Sequence, residues 1–72
     1  MFADVKLKDI DHVITVVDVT AIKMEDTRNN QVNEITDFKS FTFFKHKPMN
    51  YIFSGKTILH VNGDNIEYVH FR

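Results

Sequence analysis

Residues 50–71, NYIFSGKTILHVNGDNIEYVHF, decide how this chain is read. Apolar, β-branched and aromatic residues fill the runs 50–54, 58–61 and 66–71, and a glycine-bearing tetrapeptide separates each run from the next. Such residues fit a pleated, half-buried surface. Gly with Asn, Asp or Ser between alternating runs marks a hairpin turn. The stretch is therefore expected to form two successive β-hairpins, a terminal β-meander. Ser54-Gly55-Lys56-Thr57 suits a two-residue type II′ turn with Gly55 first of its central pair. That register sets Phe53 opposite Ile58, Ile52 opposite Leu59 and Tyr51 opposite His60. The next turn, Asn62-Gly63-Asp64-Asn65, admits two registers, pairing Ile66 with Leu59 or with Val61. They differ by two residues, so side chains face the same way in both.

By this parity one face carries Ile52, Thr57, Leu59, Val61, Ile66, Tyr68 and His70. Its aliphatic character assigns it to the core. The other face carries Tyr51, Phe53, Lys56, Ile58, His60, Glu67, Val69 and Phe71. Aromatic and polar groups mixed in this way resemble an interface. Tyr51, Phe53, Ile58, His60, Glu67, Val69 and Phe71 are thus the candidate partner-binding residues. The competing expectation is that the long segments 12–24 and 32–44 curl over this face and cover it, as in a small barrel.

Outward from the meander, the chain keeps a strand-like composition. Seven Phe and two Tyr stand beside one Pro and two Gly, and tracts with helical spacing are absent. Residues 2–8 suggest a first strand or a short lead-in helix. Residues 12–24, HVITVVDVTAIKM, are the strongest strand signal. They exceed the usual strand length, so a bend or bulge is expected within them. Residues 25–31, EDTRNNQ, read as an exposed polar loop. Residues 32–44, VNEITDFKSFTFF, read as a second long strand or bent strand pair, ended by the breaker Lys45-His46-Lys47-Pro48. The expected fold is all-β: one domain over residues 1–72, a small antiparallel sheet of five to six strands or a partly open barrel of SH3-like or OB-like size.

Charge is uneven along the chain. Residues 1–37 hold eight acids against four bases, while residues 38–72 hold five bases against two acids. The two halves are expected to attract each other in the folded domain. A globule of this length buries only about 60% of the surface of its unfolded chain, and the chain has no cysteine to staple it. Small unstapled domains often gain stability by association. The absence of cysteine, of an apolar run near the ~20 residues of a membrane span, and of a signal-like amino terminus points to a soluble cytoplasmic protein.

No chemical signature emerges. Ser54-Gly55-Lys56-Thr57 resembles the end of a phosphate-binding loop, but position 50 is Asn where a first Gly is needed, and a strand rather than a helix follows. His12, His46, His60 and His70 show no ligand spacing, so no metal and no cofactor are expected. No nucleophile–base set can be assembled, which argues against an enzyme. His60 and Glu67 share a face in the expected register. A carboxylate beside an imidazole favours its charged form, so acid would change an association made there.

Binding without catalysis remains. The leading expectation is a small protein–protein interaction module, an adaptor or inhibitor that docks on a partner or on itself, as a homodimer or higher oligomer. One alternative is an oligomer that sequesters a small ligand or nucleotide in inter-subunit pockets. These would lie near Tyr51, Phe53 and His60, with Lys45, His46 and Lys47 as possible anion contacts. A further alternative is a nucleic-acid-binding β-barrel. Lys39, Phe41, Phe43, Phe44 and Lys45 do interleave cations with aromatics. A sequence pI near 6.4 argues against nucleic acid.

Overall fold

The computed structural model describes residues 1–41 and 49–72. Among them the strands are β1 Phe2–Leu7, β2 Val13–Val17, β3 Ala21–Asp26, β4 Gln31–Ile35, β5 Met49–Ser54, β6 Ile58–Asn62 and β7 Ile66–Phe71. They form two antiparallel sheets, ordered β2-β1-β7 and β4-β3-β5-β6. The fold is all-β and antiparallel as expected, but the strands divide between two sheets. Among the described residues no helix is long and apolar enough to cross a membrane.

The long signal at 12–24 is two strands in different sheets. Asp18 adopts φ 53°, a left-handed conformation that Asp tolerates better than most residues. The chain turns there and passes from the three-stranded to the four-stranded sheet. Buried Val19 fills the corner, and its backbone N–H donates to the Met1 carbonyl at 3.0 Å. The polar loop is shorter than expected, since β3 runs through Asp26 and β4 begins at Gln31. Residues 27–30 close this hairpin, with Asn30 left-handed at φ 58° and the Asp26 carboxylate accepting from the Arg28 backbone N–H at 2.9 Å.

Residues 36–41, after β4, are not a strand. A 3-10 turn, Phe38–Ser40, is capped by the Asp37 carboxylate, which accepts from the Lys39 N–H at 3.2 Å. The turn throws its aromatic neighbours across the gap between sheets. Phe38 stacks on Phe71 at 5.2 Å between centroids. Phe41 meets Tyr51, Phe53 and Phe71 edge to face at 5.9, 6.2 and 5.7 Å. Phe41 is thus core lining rather than a stacking platform for bases. The expected positions of Phe43, Phe44 and the Lys45-His46-Lys47-Pro48 breaker lie outside the described residues.

The terminal meander differs most. Ser54 pairs with Ile58, so Gly55, Lys56 and Thr57 form a three-residue loop instead of a two-residue turn. This moves the register by one residue, and a one-residue slip turns every side chain to the other face. Phe53 now faces Leu59, Tyr51 faces Val61 and Ile52 faces His60. The cause is tertiary. The loop docks on the end of β2, where the Lys56 N–H donates to the Val17 carbonyl at 2.8 Å. The second hairpin is absent, because β7 pairs with β1 and not with β6. A 3-10 turn, Gly63–Asn65, carries the chain between the sheets, capped by the Asn62 side chain accepting from the Asp64 N–H at 2.9 Å. In β7 the pairing jumps from Lys6–Tyr68 to Leu7–Ile66, leaving Glu67 as an extra residue. That bulge reverses the facing. Ile66, Val69 and Phe71 all turn toward the core although they do not share one parity.

The inner faces share one core. Ala3, Val5, Val16 and Ile66 come from one sheet, and Ile22, Met49, Tyr51, Phe53 and Val61 from the other. Acids of the first half meet bases of the second in the Asp4–Arg72 pair at 2.7 Å and the Asp18–Lys56 pair at 3.5 Å.

Candidate functional site

Tyr51 and Phe53 have no exposed surface, so the two strongest members of the expected aromatic interface are interior residues. Val69 and Phe71 are partly buried against the same core. The face that was expected to await a partner is covered by the chain's own second sheet and by Phe38 and Phe41. Ile58 and His60 are exposed on the outer side of β6, while Glu67 is exposed on β7 in the other sheet. Glu67 pairs with Lys6 at 3.2 Å rather than with His60. The expected His60–Glu67 pair is therefore corrected: the two residues stand on different sheets. Of the face assigned to the core, Leu59, Val61 and Ile66 do pack there, whereas Tyr68 and His70 are exposed. Lys45, His46 and Lys47 lie outside the described residues.

The corrected register assembles a different surface, the outer face of the four-stranded sheet. Its central row runs Glu34, Lys23, Ile52, His60 across β4, β3, β5 and β6. The neighbouring row runs Val32, Glu25, Asn50, Asn62. A depression of about 310 Å³ opens between these rows, lined by Glu25, Asn50, Ile52, His60, Val61 and Asn62. The Asn62 amide donates to the Asn50 side-chain oxygen at 3.3 Å across its floor. Ile58, on the row beyond, is 65% exposed, and Val32 at the far edge is 53% exposed. One carboxylate, one imidazole and two carboxamides around an isoleucine supply hydrogen-bond donors and acceptors at an apolar spot. Glu25, Asn50, Ile52 and Asn62 escape the sequence reading because the two-residue turn puts Ile52 on the core side. A three-residue turn at Ser54 would have revealed them.

The outer face of the other sheet is a structural charge cluster. The Asp4 carboxylate accepts from Arg72 Nε and from the Thr15 hydroxyl, each at 2.7 Å, and His70 Nδ1 lies 3.8 Å away. The Arg72 guanidinium also sits 4.7 Å above the Phe2 ring. The Arg72 hydrogen bond, then that from Thr15, holds the Asp4 carboxyl below its ordinary value of 3.8. A carboxylate depressed in the folded state stabilises fully above its unfolded value, and that stabilisation drains away as pH falls through the folded value. Urea melts between roughly pH 2 and 6 are expected to show wild-type stability falling below pH 3.8, with a shallower acid limb for Asp4→Asn. Identical acid limbs would remove Asp4 from the account.

The fold and this surface define a small two-sheet β-domain with a polar-rimmed sheet face and, among the described residues, unpaired strand edges. Comparison with protein-family models, with curated proteins and with solved structures finds no match.

Proposed function

We propose that the chain is a small non-enzymatic interaction module, an adaptor or inhibitor that docks on a protein through β6 and the adjoining outer face. One observation carries this reading. β6 is an uncharged edge strand bordered by Ile58, the most exposed large hydrophobic residue among those described. An unpaired strand edge presents backbone donors and acceptors that a partner's strand can complete. Tyr51 and Phe53, now interior, add no contact area of their own. A cytoplasmic setting belongs to the same proposal, since a cysteine-free chain folds without an oxidising compartment. The ligand-sequestering alternative retains His60 and the depression, but the Glu25 carboxylate there repels an anion, so a nucleotide fits it poorly.

The test is affinity capture with tagged wild type beside Ile58→Asp. Ile58 is exposed, so the variant keeps its fold, within about 0.5 kcal/mol of wild-type stability. A charge set into the contact is expected to weaken a partner held in stoichiometric amount by tenfold or more. Equal capture by both proteins would move the contact surface elsewhere.

A further inference from the structure

The interaction-module reading leaves the occupant of β6 open, and the inference drawn next rests on that reading. We infer that β6 pairs antiparallel with β6 of a second copy, about a twofold axis at His60.

The four sheet edges are not equally guarded. Edge strands avoid self-pairing through charges, bulges, prolines or covering segments. β4 carries Glu34. β7 carries Glu67 and the bulge opposite the Lys6–Leu7 step. β2 is uncharged and in unbroken register on β1 like β6, but the loop 55–57 is docked on its end, where the Val17 carbonyl accepts from the Lys56 N–H. β6 reads Ile58-Leu59-His60-Val61-Asn62, with no charged residue, no proline and an unbroken register on β5. Among the described residues no strand pairs with its outer side.

Parity then selects the register. Leu59 and Val61 face inward and Ile58, His60 and Asn62 outward. A symmetric antiparallel pair keeps inner residues opposite inner ones only when the axis falls at a residue, not between two. An axis at Leu59 draws Thr57 of the loop into the pairing. An axis at Val61 runs Leu59 against Gly63 of the 3-10 turn. The axis at His60 uses all five residues of β6 and nothing outside it. Leu59 then stands opposite Val61 of the second copy, so the two inner faces join in one sheet of twice the width. His60 stands opposite its own symmetry mate on the outer face. Exposed Ile58 then stands opposite Asn62 of the second copy, with that second imidazole diagonal to it.

Five residue pairs make a small contact, so the mass is followed by light scattering up to roughly millimolar protein. Wild type is expected to rise toward twice its 8.5 kDa. His60→Lys and His60→Asp each place like charges directly opposite at the axis, which destabilises a cross-strand pair. Each variant alone is expected to associate several-fold more weakly, and an equimolar mixture of the two to recover the doubled mass. His60 is exposed, and circular dichroism checks that both variants keep the fold. A monomeric wild type overturns the inference, as does a variant that dimerises like wild type, or a mixture that fails to recover. A monomer that still captures a different protein through Ile58 would end the twofold pairing yet leave the module reading standing. A monomer whose capture ignores Ile58 would end both.

Discussion

Phe53→Ala is expected to lower the unfolding free energy by about 3–5 kcal/mol, the largest loss from any of the single substitutions proposed. The side chain has no exposed surface and sits between Ile22 on β3 and Leu59 on β6, with the Phe41 ring 6.2 Å away. Deleting a buried Phe ring typically costs 3–5 kcal/mol, because the lost transfer energy is joined by a cavity the surroundings refill only in part. A domain of this length has roughly 4–11 kcal/mol in total. The substitution therefore removes from about a third to all of the stability. Urea denaturation followed by circular dichroism measures it, with Ile58→Ala, on the exposed side of the next strand, as the reference. A variant that melts like wild type but loses a binding partner would return Phe53 to an interface and undo the register described above.

Gly55→Ala carries the second large effect, for a different reason. A Cβ at this position lies 2.9 Å from the Asp18 carbonyl oxygen and closer still to that of Val17, with Val16 Cγ1 at 3.0 Å. Two of these neighbours are backbone and cannot swing aside as a flexible side chain would. The loop has to lift from β2 or β2 has to bend. Overpacking of this kind costs about 1–3 kcal/mol, and the backbone obstacles place the expectation at the upper end. For a domain this small, 2–3 kcal/mol lowers Tm by roughly 10–20 °C. Lys56→Ala is the control on the same loop. It removes only the exposed pair with Asp18, worth about 0–1 kcal/mol. If the two variants have the same Tm, the loop does not depend on close contact with β2.

Both effects trace to one contact, and that contact explains where the sequence reading succeeds and fails. The all-β class is legible because the pattern is short-range. β-Branched residues fill Val13–Val17, aromatic and β-branched residues run through Met49–Ser54, and polar turn formers sit at 27–30. The break within 12–24 is legible from length alone. The candidate site is not. Two-residue and three-residue turns at Ser54-Gly55-Lys56-Thr57 are both locally reasonable, yet they place opposite sets of side chains inside. The choice depends on the Val17 carbonyl, some forty residues earlier in the chain, accepting the Lys56 N–H. Local chemistry has no access to that partner. The same holds for Glu67, whose extra place in β7 exists only because β1 is the neighbour, and for Phe38 and Phe41, whose aromatic contacts span both sheets.

What the amino-acid order determined by itself was the inventory: that the chain is built of strands, and that more apolar surface exists than one sheet face can hide. Tertiary structure decided the allocation. It sent β2 and β7 to one sheet and β5 and β6 to the other, turned Tyr51 and Phe53 inward, and left His60 and Ile58 exposed on the outermost strand of the four-stranded sheet. The physical reason is that side-chain facing in a strand has a period of two residues. A single hydrogen bond from a distant strand that lengthens a turn by one residue is enough to exchange the inside of a sheet for its outside.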